Sequence, residues 1–113
     1  AGTWVTFSGG RASALCVRRC RLEVVAGDDA GLVRDFESPT IRIGGRKAAD
    51  LTLADRAVSG FHVEIQLDER GYRLRDLDST NGTFVGTEKI AELALNDGDI
   101  IRIGSTLLTF RAS

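Results

Sequence analysis

The chain has one histidine, one proline, two cysteines and no methionine in 113 residues. Each scarcity removes a class of function. With His62 as the sole imidazole, a Cys₂His₂ zinc site cannot be assembled, and the Cys16-x₃-Cys20 pair lacks its remaining ligands. In an extended segment those thiols stand about 13 Å apart, at ~3.3 Å per residue, too far to bridge. Two cysteines are also too few for a disulfide framework, which reads as a protein of a reducing, cytoplasmic compartment. Apolar runs stop at about four residues, so nothing in the chain spans a bilayer. No charged start followed by an apolar stretch marks a secretory signal. The chain begins at Ala1 rather than Met, and the expectation is an excised or tagged fragment.

Catalytic motifs are missing too. There is no G-x-x-x-x-G-K-[ST] loop, no G-x-G-x-x-G after a strand and no G-x-S-x-G elbow. Ser59 and His62, with Asp50, Asp55 or Asp76, contain the residue types of a hydrolase triad. Strand–turn spacing does not by itself align serine with imidazole, and no separate loop offers an oxyanion hole. The expectation is a protein that is not an enzyme and holds no cofactor or metal.

What is present is ordinary in amount and particular in arrangement. Apolar residues at 42% and charged residues at 27% are close to the globular average, which suits one domain with a real core. Thirteen glycines punctuate short apolar runs, the mark of an all-β chain with many tight turns. The first twenty residues carry Arg11, Arg18 and Arg19 and no acid, so the rest is net acidic and a poor direct binder of nucleic acid. All cations but Lys47 and Lys89 are arginine. Arginine suits bidentate recognition of phosphate or carboxylate, although a GC-rich coding sequence accounts for the same bias more simply.

Residues 1–19 lack a clear period and read as a tail or linker, disordered or ordered by a partner. Trp4-Val5-Thr6-Phe7 is a stray strand there, interrupted at Gly9-Gly10. Residues 20–113 form the domain. Strands are expected at 21–26, 32–36, 40–43, 51–53, 62–67, 72–77, 83–85, 88–90, 92–95, 100–103 and 106–110. In 62–67, Val63, Ile65 and Leu67 alternate with His62, Glu64 and Gln66, the pattern of a half-buried strand. The spacing predicts an eleven-stranded, two-sheet β-sandwich without helices.

Three loops stand out, at 44–50, 54–60 and 78–82. Their landmarks are Ile43-Gly44, Asp50-Leu51-x-Leu53, Val58-Ser59-x-x-His62 and Asp76-Leu77-x-Ser79-Thr80-Asn81-Gly82-Thr83, followed by Gly98-Asp99-x-Ile101-x-Ile103-Gly104. Together and in this order they resemble a forkhead-associated domain, a phosphothreonine-binding sandwich, over roughly Arg21 to Phe110. The resemblance implies a threonine-phosphorylated protein or peptide as partner; the basic first twenty residues read separately as an inter-domain element or one of weak self-association. It implies hydroxyl donors at Ser59 and Thr80, the Gly60 backbone lining the phosphate pocket, and Asn81 on the peptide main chain after the phosphothreonine. His62 would brace the loops from inside, and Gly44 and Gly82 would permit tight turns.

Duller readings stand beside these. Ser59 and Thr80 suit turns, and Asn81-Gly82 is what a type I′ hairpin requires with no ligand. The family usually reads Gly-Arg at its first motif; here Gly45 takes the arginine's slot and Arg46 follows one place later. The family also often has a cation after the motif serine, where this chain has Gly60, leaving Arg42, Lys47 and Arg56 as auxiliary phosphate contacts. Up-and-down parity places the second and third loops at one end and the first at the other. The stretch 21–31 and Arg42-Ile43-Gly44-x-Arg46-x-x-x-Asp50 looks like the domains attached to bacterial sigma-54-dependent activators. That likeness implies a sensory region of a larger signalling protein. The alternative is the same fold as an interaction or oligomerisation domain that binds an unphosphorylated partner.

Overall fold

The computed structural model describes residues 2–8, 11–17 and 19–112, with side chains from Arg19 onward; Gly9, Gly10 and Arg18 lie outside the described residues. Every regular element among them is a strand. β1 (Gly2–Ser8) and β2 (Arg11–Val17) pair antiparallel as a sheet of their own, within the stretch read as a tail. The sandwich follows with β3 (Cys20–Ala26), β4 (Val33–Phe36), β5 (Thr40–Gly44), β6 (Leu51–Thr52), β7 (Val63–Asp68) and β8 (Gly71–Asp76). It is completed by β9 (Thr83–Val85), β10 (Glu88–Ile90), β11 (Glu92–Ala94), β12 (Ile100–Ile103) and β13 (Thr106–Ala112). A six-stranded sheet runs β10-β9-β12-β13-β3-β4 and faces a five-stranded sheet, β11-β8-β7-β5-β6. These are the eleven strands that the apolar alternation predicts, displaced by a residue or two at their ends.

The alternation works because successive strand residues point to opposite faces. Leu22, Val24, Ile101, Ile103, Leu108 and Phe110 point inward from the six-stranded sheet and meet Ile41, Ile43, Ile65 and Leu74 from the other. Burying each such side chain is worth roughly 1.5–3 kcal/mol. Tyr72 stands edge-on to Phe110 with ring centres 5.1 Å apart, and loss of water around Cys20 pushes its thiol up to about 11, so it is inert at neutral pH. One strand departs from its expected pattern. Glu64, on the polar face of β7, is only 5% exposed, because Arg42 and Arg75 from the flanking strands close over it at 3.3 and 3.2 Å.

The parity of the loops is also different from expectation. β5 and β6 pair in parallel, with Ile43 opposite Leu51 and Gly44 opposite Thr52. The chain leaving β5 therefore doubles back through residues 45–50 and re-enters the sheet in its original direction. The next loop then departs from the same end. Since β7 begins opposite the end of β5 and β8 ends opposite the start of β7, the third loop lies there as well. Alternation assumes antiparallel neighbours, and a single parallel pair inverts its result.

Candidate functional site

The first two loops are joined by backbone before any side chain is considered. Gly45 N–H donates to Ser59 O at 3.0 Å, and Arg46 N–H donates to Gly60 O at 3.1 Å. Gly44 makes this contact possible: a Cβ there would fall 2.0 Å from Gly60 O. Its role is thus close approach and not a turn, since its φ is not positive. Gly82, at φ +86°, does carry the left-handed conformation that glycine supplies cheaply. Asn81 is not left-handed and the segment crosses from β8 in one sheet to β9 in the other, so the type I′ hairpin reading of Asn81-Gly82 does not hold.

His62 is completely buried between the second and third loops. Its Nδ1 accepts the Ser59 N–H at 3.1 Å, which leaves the ring proton on Nε2 to be donated to Gly82 O at 2.8 Å. Both nitrogens are thereby committed to backbone. No imidazole remains to activate Ser59, so the hydrolase arrangement is absent. Among the described residues no cluster of three metal-ligating side chains occurs either.

Two aspartates stiffen the same end. Asp76 accepts from the Ser79 and Thr83 hydroxyls and from the Ser79 N–H. Burial opposes ionisation of Asp76, yet these hydrogen bonds outweigh it and hold the carboxyl below its ordinary range. Asp55 accepts the Ala57 N–H at 2.9 Å, the Ser105 N–H at 2.7 Å and the Thr106 hydroxyl at 3.0 Å. The Ala57 bond, against partial burial and with help from Ser105, depresses its carboxyl as well. Asp55 thus sews the second loop to the turn between β12 and β13, a role for which the sequence carried no signal beyond an acid in a loop.

On this frame the candidate ligand groups converge. Ser59 Oγ accepts the Thr80 N–H at 3.0 Å. A hydroxyl carries one donor and two lone pairs, so that bond orients Ser59 and leaves its proton to give. Thr80 is exposed next to it, and Gly60 is partly exposed. Arg46 folds back over Gly60, where a Cβ would meet its Nε at 2.5 Å, and its guanidinium carbon lies 5.6 Å from the centre of the Phe61 ring. The arginine displaced by one place therefore occupies the space that a side chain at position 60 would need. Arg42 reaches the same ring at 6.0 Å but is held by Glu64. Exposed Lys47 and Arg56 form no ion pair among the described residues. Asn81 Nδ2 donates to Ala57 O at 2.8 Å and ties the third loop to the second. Lys89 was missed: its Cε lies 2.8 Å from where a Gly82 Cβ would be. The two-residue turn at Gly86-Thr87 pairs 84 with 89 and is the signal that could have found it.

Comparison with known proteins bears on the family and the fold. A family model described as "Inner membrane component of T3SS, cytoplasmic domain" matches residues 23–113. The FHA domain-containing protein FhaA of Mycobacterium tuberculosis is 37% identical over 84 residues, 74% of this chain and 16% of that protein. The oxoglutarate dehydrogenase inhibitor of Corynebacterium efficiens is 35% identical over 91 residues, 80% of this chain and 64% of that protein. The chain thus spans less than two thirds of these curated relatives. Among solved structures, the FhaA FHA domain complexed with the intracellular domain of Rv3910 superposes with a TM-score of 0.73 at 35% identity, covering 81% of this chain and 99% of that one. The chain belongs to the matched family and is a forkhead-associated domain, an eleven-stranded interaction module that does no catalysis.

Proposed function

We propose that the loop end captures a threonine-phosphorylated peptide and so makes a protein–protein contact conditional on phosphorylation. The observation that carries the reading is the Ser59 hydroxyl, oriented by the Thr80 N–H and with its proton unspent, beside an Arg46 guanidinium that has no carboxylate partner among the described residues. A phosphothreonine brings about −1.5 to −2 charge and three strong acceptors. Each charge-assisted hydrogen bond is worth ~1.5–3 kcal/mol. Four at the upper end total ~12 kcal/mol, which less the smallest association cost of ~4 kcal/mol only just meets the ~8 kcal/mol of micromolar binding, so contacts to the rest of the peptide must contribute as well. In this reading Ser59 and Thr80 donate hydroxyls, the Gly60 backbone and Arg46 line the phosphate, and Lys47 and Arg56 raise the local potential. Asn81 reaches the peptide main chain with the amide groups left after its bond to Ala57. Support comes from the relatives, among them a structure described as an analysis of phosphothreonine-dependent FHA domain interactions, 34% identical with a TM-score of 0.74.

The proposed setting is cytoplasmic, as input domain of a larger bacterial signalling protein such as a sigma-54-dependent regulator. The greater length of the curated relatives and the motif likeness support it. One observation favours a second reading, docking of an unphosphorylated partner: the motif arginine's slot holds Gly45. Calorimetry with a peptide selected from a phosphothreonine library separates the two. The phosphorylated peptide is expected to bind with micromolar affinity and its unmodified twin at least about tenfold more weakly. Ser59→Ala should erase most of that difference. Equal affinities for both peptides would remove the phosphate-dependent reading.

A further inference from the structure

Asn81 and Gly82, in the third loop, are the only asparagine–glycine pair in the chain. Asparagine is a thermolabile residue, and such a pair carries its own chemistry. With no side chain on the second residue, its backbone nitrogen can approach the asparagine Cγ and close a five-membered imide. Asn81 is exposed, so water reaches it. The fold nevertheless restrains both reacting groups. Gly82 N–H donates to Ser79 Oγ at 3.0 Å, and that hydroxyl is itself fixed because its proton goes to Asp76. The Asn81 carboxamide is turned toward the second loop, where Nδ2 donates to Ala57 O at 2.8 Å. Gly82 O accepts from the buried His62 Nε2 at 2.8 Å. Closing the imide brings Asn81 Cβ into eclipse with the Gly82 nitrogen, which requires rotation about the backbone ψ and the side-chain χ1. The bonds to Ser79 and His62 resist the first rotation and the bond to Ala57 resists the second.

We infer that Asn81-Gly82 is a latent deamidation site, held closed by the Ser79 and Ala57 bonds, whose reaction switches off the peptide-binding loops. The Gly82 nitrogen bonds to Asn81 Cγ as the Cγ–Nδ2 bond breaks, and the Gly82 N–H proton departs with the amine as ammonia. Water then opens the imide at one carbonyl or the other, giving aspartate or isoaspartate with no change of oxidation state. Either product loses the Nδ2 donor. The aspartate sets a carboxylate against Ala57 O, two acceptors with no proton between them. The isoaspartate adds a methylene to the main chain in a loop fixed on both sides. Both add a negative charge next to Thr80, which repels a phosphate there. The loss of binding rests on the phosphopeptide reading above; the protection by the fold does not.

The test ages the whole chain at mildly alkaline pH, folded and in guanidinium chloride. Trypsin then releases Asn81 in the peptide bounded by Arg75 and Lys89, in which mass spectrometry counts conversion. Deamidation should run at least about tenfold slower in the folded chain, since reaction waits on local opening of the loop. Ser79→Ala frees the Gly82 N–H and should speed the folded reaction about threefold or more, with the unfolded rate unchanged. Ser79→Thr keeps a hydroxyl and should stay near the unaltered rate. Aged protein, separated by its added charge on an anion exchanger, should bind a phosphothreonine peptide at least about tenfold more weakly than fresh protein. Asn81→Asp should reproduce most of that loss. Equal rates in the folded and unfolded chains would overturn the protection, and this comparison decides even if Ser79→Ala does not fold. A folded Ser79→Ala that reacts no faster than the unaltered chain would overturn the part given to Ser79. Aged protein that binds as tightly as fresh would overturn the switch. Fresh protein that cannot tell phosphorylated from unmodified peptide would instead overturn the underlying reading, and the switch with it, while the folded-state protection stands on its own rates.

Discussion

The outer face of the five-stranded sheet and the loop end of the sandwich both carry arginines, and they use them differently. On the sheet, Glu92, Arg75, Glu64 and Arg42 stand opposite one another across four strands, so that charge alternates along the row. Arg42 and Arg75 share Glu64, and Arg73 reaches Glu92 at 3.7 Å. At the loop end, Arg46, Lys47, Arg56 and Lys89 have no such partner among the described residues. Strand register dictates who faces whom, so opposite charges can be written into adjacent strands. Loops have no register, and Arg46, Lys47 and Arg56 stay unneutralised there, while the register of Lys89 on β10 sets it opposite Phe84 and not an acid. The exposed Arg73–Glu92 pair is worth only ~0–1 kcal/mol, and the two bonds to buried Glu64 largely offset the cost of desolvating that carboxylate, so the pairing on the sheet matters less for net stability than for silencing that face toward anions. The loop end keeps its positive potential for a ligand.

The contrast depends on the loops staying together, and Gly44→Ala should break it most severely. A Cβ 2.0 Å from a backbone carbonyl cannot be relieved by a rotamer change. The expected cost is about 3 kcal/mol or more in urea-induced unfolding, with loss of peptide binding. A loss under ~1 kcal/mol would mean that the loops part easily and that their convergence is not built in. Next in size is a matched pair of substitutions. Arg46→Ala should cost ~1.5–3 kcal/mol of phosphopeptide affinity, while Arg75→Ala should change it by less than ~0.5 kcal/mol. Similar losses for both, by calorimetry, would dissolve the distinction between silenced and available arginines.

Acid should separate the frame from the face by a smaller amount. Asp55 and Asp76 have folded-state pKa values below their ordinary 3.8. Their contribution to stability is therefore complete above that value and is lost as pH falls through the lower folded one. Melting temperatures between pH 5 and about 2 should drop less steeply for Asp76→Asn than for the unaltered chain, because the variant has already lost that term. Parallel curves would deny Asp76 this role. The smallest expected effect is the most pointed. Glu64→Gln frees Arg42 at the border of the two regions, and phosphopeptide affinity should rise about twofold at low salt. A fall in affinity would show that Glu64 positions Arg42 for the ligand and does not withhold it.

Much of this was legible beforehand, for reasons that vary with the residue. Leu22-x-Val24 and Ile101-x-Ile103 announce strands because burial on one face of a sheet enforces a period of two. Ser59, His62 and Asn81 were visible as motif residues, but not what each touches. That Ser59 Oγ accepts from Thr80, 21 residues away, follows from loop conformations that no local pattern encodes. Lys89 lay one hairpin count from recognition. Asp55 did not, since its bonds to Ser105 and Thr106 span about half the chain.

By itself the amino-acid order determined that this protein is a sandwich of short strands with polar, glycine-marked turns, because solvent exposure and side-chain alternation are local properties. Only the tertiary structure decided that three loops share one end. That outcome turns on a two-residue parallel pairing of β5 with β6 and on a glycine, Gly44, thin enough to let two backbones touch. Which cations remain unpaired was decided there too, since a charge is neutralised by whatever the fold brings within reach.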